Sequence, residues 1–458
     1  MLRLDNSSQD QPSLWETVLP PELFQMNEEL TQVDRLLDDE RFFAPFLARF
    51  NTGTGRPSTA VATYLRLMYL KFRYQLGYEV LVKEVSDSLA WRRFCHLSLS
   101  DRVPDSTTLI KLTHKYGDDA VRALNDALVL KLKEGKFVRG KKLRIDTTVV
   151  ESDIHYPTDT GLLHDSIKVV TRVVSKLKKL VPGIGKRFVK HTRKAKQVYL
   201  GQMKLMKRRT GKDKAALKKT QKQLADIATG VVADARTVLS ELESLLQKPA
   251  LADKLSRQLV EWLGITDKVI RQTEEVIRGN YHLPRRVVSI FDADARPIKR
   301  GKSHADTEFG RKVMIGETDH GIISSYEVLK DNPADTGVLK RGIKGHRKLF
   351  RKRLKAVAGD RGFYSQGNED WLHHTGVTQV SIPKRGKVSQ ERRSYQKQYW
   401  FKRLQRFRAG IEARISLLKR KFGLRRSRMR GDSGTQIWVG QGILTQNLWQ
   451  AARITSNL

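Results

Sequence analysis

Cysteine is almost missing from this chain: there is one, Cys95, in 458 residues. That excludes an internal disulfide and any multi-cysteine zinc site. Acids are also scarce, 49 Asp and Glu against 87 Lys and Arg, so the formal charge is 87 − 49 = +38. No apolar run approaches the roughly 20 residues that a membrane-spanning helix needs. The first residues, Met1 to Leu14, are polar and lack the basic-then-apolar pattern of a secretory signal. Neither the G-x-x-x-x-G-K-[ST] phosphate loop nor a G-x-S-x-G elbow occurs, which disfavours ATP use and serine chemistry.

What is present is the composition of a packed protein. Hydrophobic residues make up 39%, with seven Trp, sixteen Phe and twelve Tyr, so the chain is not a disordered polycation. A compact body with this charge repels itself, and a polyanion relieves the strain. Nucleic acid is the first expectation and an anionic membrane a distant second. The chain reads as a soluble, cytosolic, nucleic-acid-handling protein.

Periodicity divides the chain. Residues 1–138 carry apolar positions at helical spacing, as in "AVATYLRLMYLKFRYQLGYEVLVKEVSDSLAWRRFCHL", and read as one all-helical domain, with Ser106 or Thr107 capping a later helix. "KKLRIDTTVVES" alternates and is β-branched, so residues 139–160 open an α/β core with a strand. Residues 161–283 read as a basic helical insertion: between Lys168 and Lys222 stand twenty basic residues and a single acid, Asp213. That density suggests a phosphate-facing surface, against the blander reading of a solvated arm. From residue 284 to 458 strand and helix signals alternate. "RRVVSIFDADAR" and the pair within "GRKVMIGETDHGIISSYEVL" read as strands, followed by helix, "KAVAGDRGFYS" as a strand, helix, "VTQVSIPK" as a strand, and a long basic helix. This is the order of a mixed sheet flanked by helices.

Three acids stand out by context. Asp146 lies inside an apolar strand, where an uncompensated carboxylate is costly and a divalent cation would relieve it. Asp360 ends a strand, where ligands of open α/β sheets collect. Glu412 sits in the late helix among Arg408, Arg414 and Lys419. Taken singly, each is more simply a hydrogen-bonded acid, a turn residue and a surface ion pair. Together, two strand aspartates and a helical glutamate can hold a pair of Mg2+ ions beside a phosphodiester. Asp292 or Asp294, in "FDADARPI", is the rival to Asp360.

These segments resemble bacterial insertion-sequence transposases of the DDE class, the IS-four/IS-five superfamily and its ISNCY-like branch, over most of the chain. "GRPS…YLRLMYLKFRYQLGYEVLVKEVSDSLAWRRFCHLSL…DRVPDSTTLIKL" resembles the helical region those enzymes carry first, "RIDTTVVES" their first strand and "GDRGFYS" the segment with the second aspartate. The family's last signature has Tyr, Arg, Glu and Lys at spacings of three, four and seven. Set on Glu412, it finds Arg408 and Lys419, but Gln405 stands in the tyrosine position. The resemblance implies an RNase H-like catalytic core with Asp146, Asp360 and Glu412 as catalytic and metal-holding residues, and two Mg2+ ions with Mn2+ as a substitute. It also implies phosphate contacts by Arg408 and Lys419.

The expected activity is cutting double-stranded DNA at element ends and joining the 3′-OH to target DNA, by a homodimer working at the bacterial nucleoid with no membrane role. Arg414 and the insertion's Lys186, Arg187, Lys190, Arg193, Lys194, Lys207, Arg208 and Arg209 are expected to track phosphates. The N-terminal helices are the expected readers of the terminal inverted repeats, although no helix-turn-helix stands out. The competing readings are an inactive, domesticated transposase acting as a DNA-binding regulator, and an RNase H-like nuclease that stops after hydrolysis.

Overall fold

A computed structural model describes residues 2–4, 18–47, 57–207, 213–245, 247–299 and 307–455. The chain falls into two compact units, Met1–Asp153 with Arg311–Leu458, and Ile154–Gly310. These limits differ from the boundaries at 138, 160 and 283 read from the sequence.

The first unit begins with helices Glu28–Leu37 (α1) and Ala44–Leu47 (α2). Asn27 caps α1 by accepting the Leu30 N–H at 2.8 Å. The long apolar run after residue 60 is three helices, Val61–Arg73 (α3), Tyr78–Asp87 (α4) and Leu89–Phe94 (α5). Gln75, at φ 57°, interrupts the first two, and Ser88 caps the third through the Trp91 N–H. Ser106–Glu134 (α6) follows, with Asp105 rather than Ser106 or Thr107 at its cap position and a kink at Gly117, φ 69°. These helices share one apolar core with Ile322, Phe350, Leu444 and Leu448 from the far end of the chain.

Strand Lys142–Ser152 (β1) leads into the second unit. There Asp159–Leu180 (α7), Thr192–Lys207 (α8), Asp213–Glu243 (α9) and Ala250–Arg278 (α10) pack around Leu163, Val170, Leu177, Val231, Val238 and Leu259. The apolar residues recur at helical spacing and Lys168, Arg172 and Lys176 between them are exposed, so these cations of α7 lie on the outer face of a packed bundle. Gly279, at φ 103°, closes α10 in the left-handed conformation that favours glycine.

The strand expected in "RRVVSIFDADAR" does not form. Val287, Val288 and Ile290 are buried against or beside the helical bundle, and the Gln272 side chain takes the role of a neighbouring strand. Its Oε1 accepts the Val287 N–H at 3.0 Å and its Nε2 donates to the Val287 carbonyl at 3.1 Å. A short strand, Arg296–Lys299 (β2), comes later and pairs antiparallel with the start of Thr307–Thr318 (β3).

From Arg311 the chain is again in the first unit. Ile323–Val328 (β4), Asp335–Phe350 (α11), Ala356–Gly359 (β5), Gln366–His374 (α12) and Gln379–Ser381 (β6) follow. The late basic segment is two helices, Gln390–Lys397 (α13) and Tyr399–Lys421 (α14), because Gln398 is extended. Arg426–Ser427 (β7) and Gly431–Thr455 (α15) complete it. The sheet runs β4-β3-β1-β5-β6, with β7 on β1. β3 and β4 are antiparallel, whereas β1, β5 and β6 are parallel. One face packs on α11, through Leu143, Ile145, Val338 and Ile343, and the other on α14, through Ala356, Ala358 and Leu404. Asn447 fixes α15 to β4 by bonding both the N–H and the carbonyl of Ile323 at 2.8 Å. Among the described residues no helix is long and apolar enough to cross a membrane.

Candidate active site

Register brings two aspartates together, one within β1 and one just past the end of β5. In the parallel pair of β1 and β5, Ile145 is opposite Gly359, and each is followed directly by an aspartate, Asp146 and Asp360. Both are half-buried. Asp146 Oδ1 accepts the Thr147 N–H at 2.7 Å. Asp360 caps a short 3-10 turn, its Oδ1 accepting the Gly362 N–H at 2.7 Å. Asp360, just past the C-terminal end of β5, lies at the edge where open α/β sheets bind ligands, and the register puts Asp146 of the longer β1 next to it.

A further acid that the sequence pattern does not single out lies near Asp360. Asp335, the first residue of α11, accepts the Thr147 hydroxyl at 3.1 Å and pairs with Lys312 at 2.7 Å. A Cβ at Gly362 would lie 2.8 Å from Asp360 Oδ1, 2.9 Å from Asp335 Oδ2 and 3.3 Å from Arg385 Nη2. A side chain there would push aside the tips of two carboxylates and a guanidinium, which converge on this point. An acid in the first turn of a helix is ordinary dipole chemistry, so "PADTGVL" carries no signal beyond a helix start.

Glu412 is on α14, the helix that covers the face of the sheet to which, by strand alternation, Arg144 and Asp146 belong. Its side chain is 66% exposed and pairs with Arg408 Nη1 one turn earlier at 3.0 Å. Gln405, Arg408 and Glu412 follow at i, i+3 and i+7 along one stripe of the helix. Gln405, in the position where the signature has Tyr, donates through Nε2 to the Ser381 carbonyl at 2.7 Å and to its hydroxyl oxygen at 2.9 Å. The stripe thus starts at the C-terminal ends of β5 and β6, beside Asp360.

Among the described residues the acids of this site do not form a close three-ligand group. The one group of that kind is Asp34, Asp38 and His96 in the helical region. There the buried guanidinium of Arg66 already fills the space, bonding Asp34 and Asp38. Burial raises the Asp34 pKa, but the hydrogen bond from His96 and the Arg66 charge outweigh it, and the net shift is downward.

The basic residues have different employments. Arg414 is 13% exposed and its Nε donates to Glu317 at 2.7 Å. Glu317 is fully buried and also receives Arg144 Nε at 2.7 Å, so one carboxylate serves two guanidiniums. Lys419 is half-exposed in the last turn of α14. In the second unit Lys186, Arg187, Lys190, Arg193 and Lys194 are exposed, while the intervening Ile184, Phe188 and Ala195 anchor the segment in the core. Lys207 ends α8, and its side chain, like the whole of Arg208 and Arg209, lies outside the described residues. Asp292, which is buried, and Asp294, which is exposed, belong to the second unit, in the segment before β2.

The donor set offered by Asp146, Asp360, Asp335 and Glu412 is all carboxylate oxygen. Such a set fits hard divalent cations such as Mg2+ and does not resemble a zinc site. A search of curated proteins and one of solved structures found no match to the chain. Residues 21–115 match the family model of a transposase domain (DUF772). Residues 285–448, which include Asp360 and Glu412 but begin after Asp146, match that of a transposase DDE domain. Together the two matches support an insertion-sequence DDE transposase, an enzyme acting on DNA.

Proposed function

We propose that the protein cuts double-stranded DNA at the ends of its element and joins the freed 3′-OH to target DNA, with Asp146, Asp360 and Glu412 as the catalytic carboxylates. The observation that carries this reading is the parallel register of β1 and β5, in which Ile145 is opposite Gly359 and an aspartate follows each. The sheet order β4-β3-β1-β5-β6 supports an RNase H-like core, and the finer assignment is to the ISNCY-like branch of the IS-four/IS-five superfamily.

The three carboxylates would hold two divalent cations, Mg2+ or Mn2+. Bound there, such ions activate the attacking oxygen and stabilise the departing one. Attack by water on the end phosphodiester breaks the P–O3′ bond and leaves a 3′-OH and a 5′-phosphate. That hydroxyl then attacks a target phosphodiester, forming the new P–O bond and releasing a target 3′-OH. No protein nucleophile is needed, so no Ser or Tyr is assigned. Arg408 and Lys419 hold end phosphates from α14, and Arg414 acts through Glu317 to keep that helix on the sheet. The exposed basic face around 186–194 neutralises backbone phosphates, and the N-terminal helices read the terminal repeats. Two ends must be held at once, which calls for a homodimer, acting in the cytoplasm at the nucleoid.

One observation also suits a DNA-binding regulator that does not cut: Glu412 is exposed and already paired with Arg408. End cleavage separates the two. Asp146→Asn, Asp360→Asn and Glu412→Gln should each abolish Mg2+-dependent cleavage of an end duplex and leave its binding largely intact. A variant that cleaves at the wild-type rate removes that residue from the set. A wild-type chain that binds ends tightly and never cuts them overturns the enzymatic reading.

A further inference from the structure

The second unit contains a cavity of about 710 Å³ whose walls combine exposed aromatic rings with cations. Tyr156 is 81% exposed and Tyr281 61%. Exposed single aromatics are unremarkable, but these two border the same cavity together with Phe309. Phe309 meets Tyr156 edge to face, ring centroids 5.6 Å apart and planes at 87°, which orients the Tyr156 ring. Lys299, Arg286 and His282 complete the polar part of the wall. The lining has one carboxylate, Asp159, and it is neutralised from within: both its oxygens accept Arg286 Nη2, at 2.9 and 2.7 Å, and Oδ1 also accepts Gln272 Nε2 at 3.2 Å.

We propose that this cavity is a binding site for unpaired DNA, in which Tyr156 and Tyr281 stack on exposed bases while Lys299 faces the backbone. A ligand that suits both parts of the wall needs flat apolar faces joined by anionic links. Single-stranded nucleic acid has both, whereas a duplex hides its base faces and offers only phosphates. The charge of the whole chain, 87 Lys and Arg against 49 Asp and Glu, favours the same occupant. The volume is in the range of enclosed small-ligand sites, enough for individual bases to enter and too small for a double helix. The inference rests on the DNA-cutting reading above and adds to it the form of DNA handled here, the unpaired strand.

The test uses the full-length protein without metal, a labelled oligothymidylate of about 12 nucleotides, and a duplex of equal length. Tyr156→Ala and Tyr281→Ala should each weaken oligothymidylate binding about tenfold, with little change for the duplex. Tyr156→Phe and Tyr281→Phe, which keep the ring, should bind like the wild type. Both positions are exposed, so the variants should retain the wild-type melting temperature. Unchanged oligothymidylate affinity overturns the proposal. Equal losses for single strand and duplex also overturn it, because they describe a general phosphate track. Metal-dependent cleavage of an end duplex is measured on the same preparations. A chain that cuts ends normally but shows no tyrosine effect refutes only this site, whereas a chain that never cuts refutes the broader reading.

Discussion

Replacing Glu317 by Gln should destabilise the first unit by about 3–5 kcal/mol, the range for removing one partner of a buried ion pair. Glu317 is fully buried at the end of β3, and its two oxygens accept one guanidinium each, Arg144 from β1 and Arg414 from α14, both at 2.7 Å. Both arginines are 13% exposed, so water cannot readily take over the missing interaction. Glutamine keeps the shape but offers one acceptor oxygen and no charge, so one guanidinium is left without its partner and two like charges face each other. Arg144 retains one bond, Nη1 to the Phe407 carbonyl at 2.7 Å, which keeps the loss from doubling. The readout is hydrogen exchange of the most protected amides in β3 and α14, where a loss of about 3 kcal/mol accelerates exchange by roughly two orders of magnitude. Removing one of the stranded cations as well, in Glu317→Gln with Arg414→Met, should recover part of the loss. Because α14 carries Gln405, Arg408 and Glu412, the single variant should also cut DNA more slowly although residue 317 touches none of the three. If Glu317→Gln exchanges within a factor of about five of the wild type, roughly 1 kcal/mol, the buried network does not hold the helix and the reasoning fails.

Two further predictions follow from charge. His346 is buried between the Ser324 hydroxyl, 2.7 Å from Nδ1, and the Gly140 carbonyl, 3.0 Å from Nε2, and its ring stacks on Phe350. Burial pushes its pKa down to about 4, the Gly140 bond opposes this, Arg347 adds to it and Asp319 opposes it weakly. The imidazole is therefore neutral when folded, and below pH 6.5 the unfolded chain takes up a proton that the folded chain refuses. Stability present at pH 7 is lost as the pH falls from 6.5 towards 4, by up to about 3 kcal/mol. Urea midpoints across that range should fall more steeply for the wild type than for His346→Gln, and parallel curves would refute the assignment. In the second unit, changing Lys186, Arg187, Lys190, Arg193 and Lys194 to Gln should weaken duplex binding and flatten its salt dependence, by about 0.9 in log–log slope for each phosphate no longer neutralised. An unchanged slope would make that face merely solvated.

Much of the fold is legible in the sequence because it is local. Alternation finds β1, β3, β4, β5 and β6. The failures have a common cause, which is a partner distant in sequence. "RRVVSIFDADAR" is apolar enough for a strand, yet the amide of Gln272 satisfies its backbone and the helical core takes its valines, and nothing near residue 287 announces this. Nothing local announces the burial of Glu317, because the two arginines that pair with it arrive from residues 144 and 414. Asp335 is an ordinary helix-start acid until Thr147, Lys312 and Gly362 close around it. The candidate site divides along the same line. Asp146 and Asp360 are visible singly as misplaced strand carboxylates, and one pairing register makes them neighbours. Glu412 stands out by its spacing on a helix, and its side chain faces water and Arg408. Local pattern therefore names acids that could act, but only long-range register and pairing distinguish acids set beside one another, as Asp146 and Asp360 are, from acids that have a cation for company, as Glu412 has Arg408 and Asp335 has Lys312.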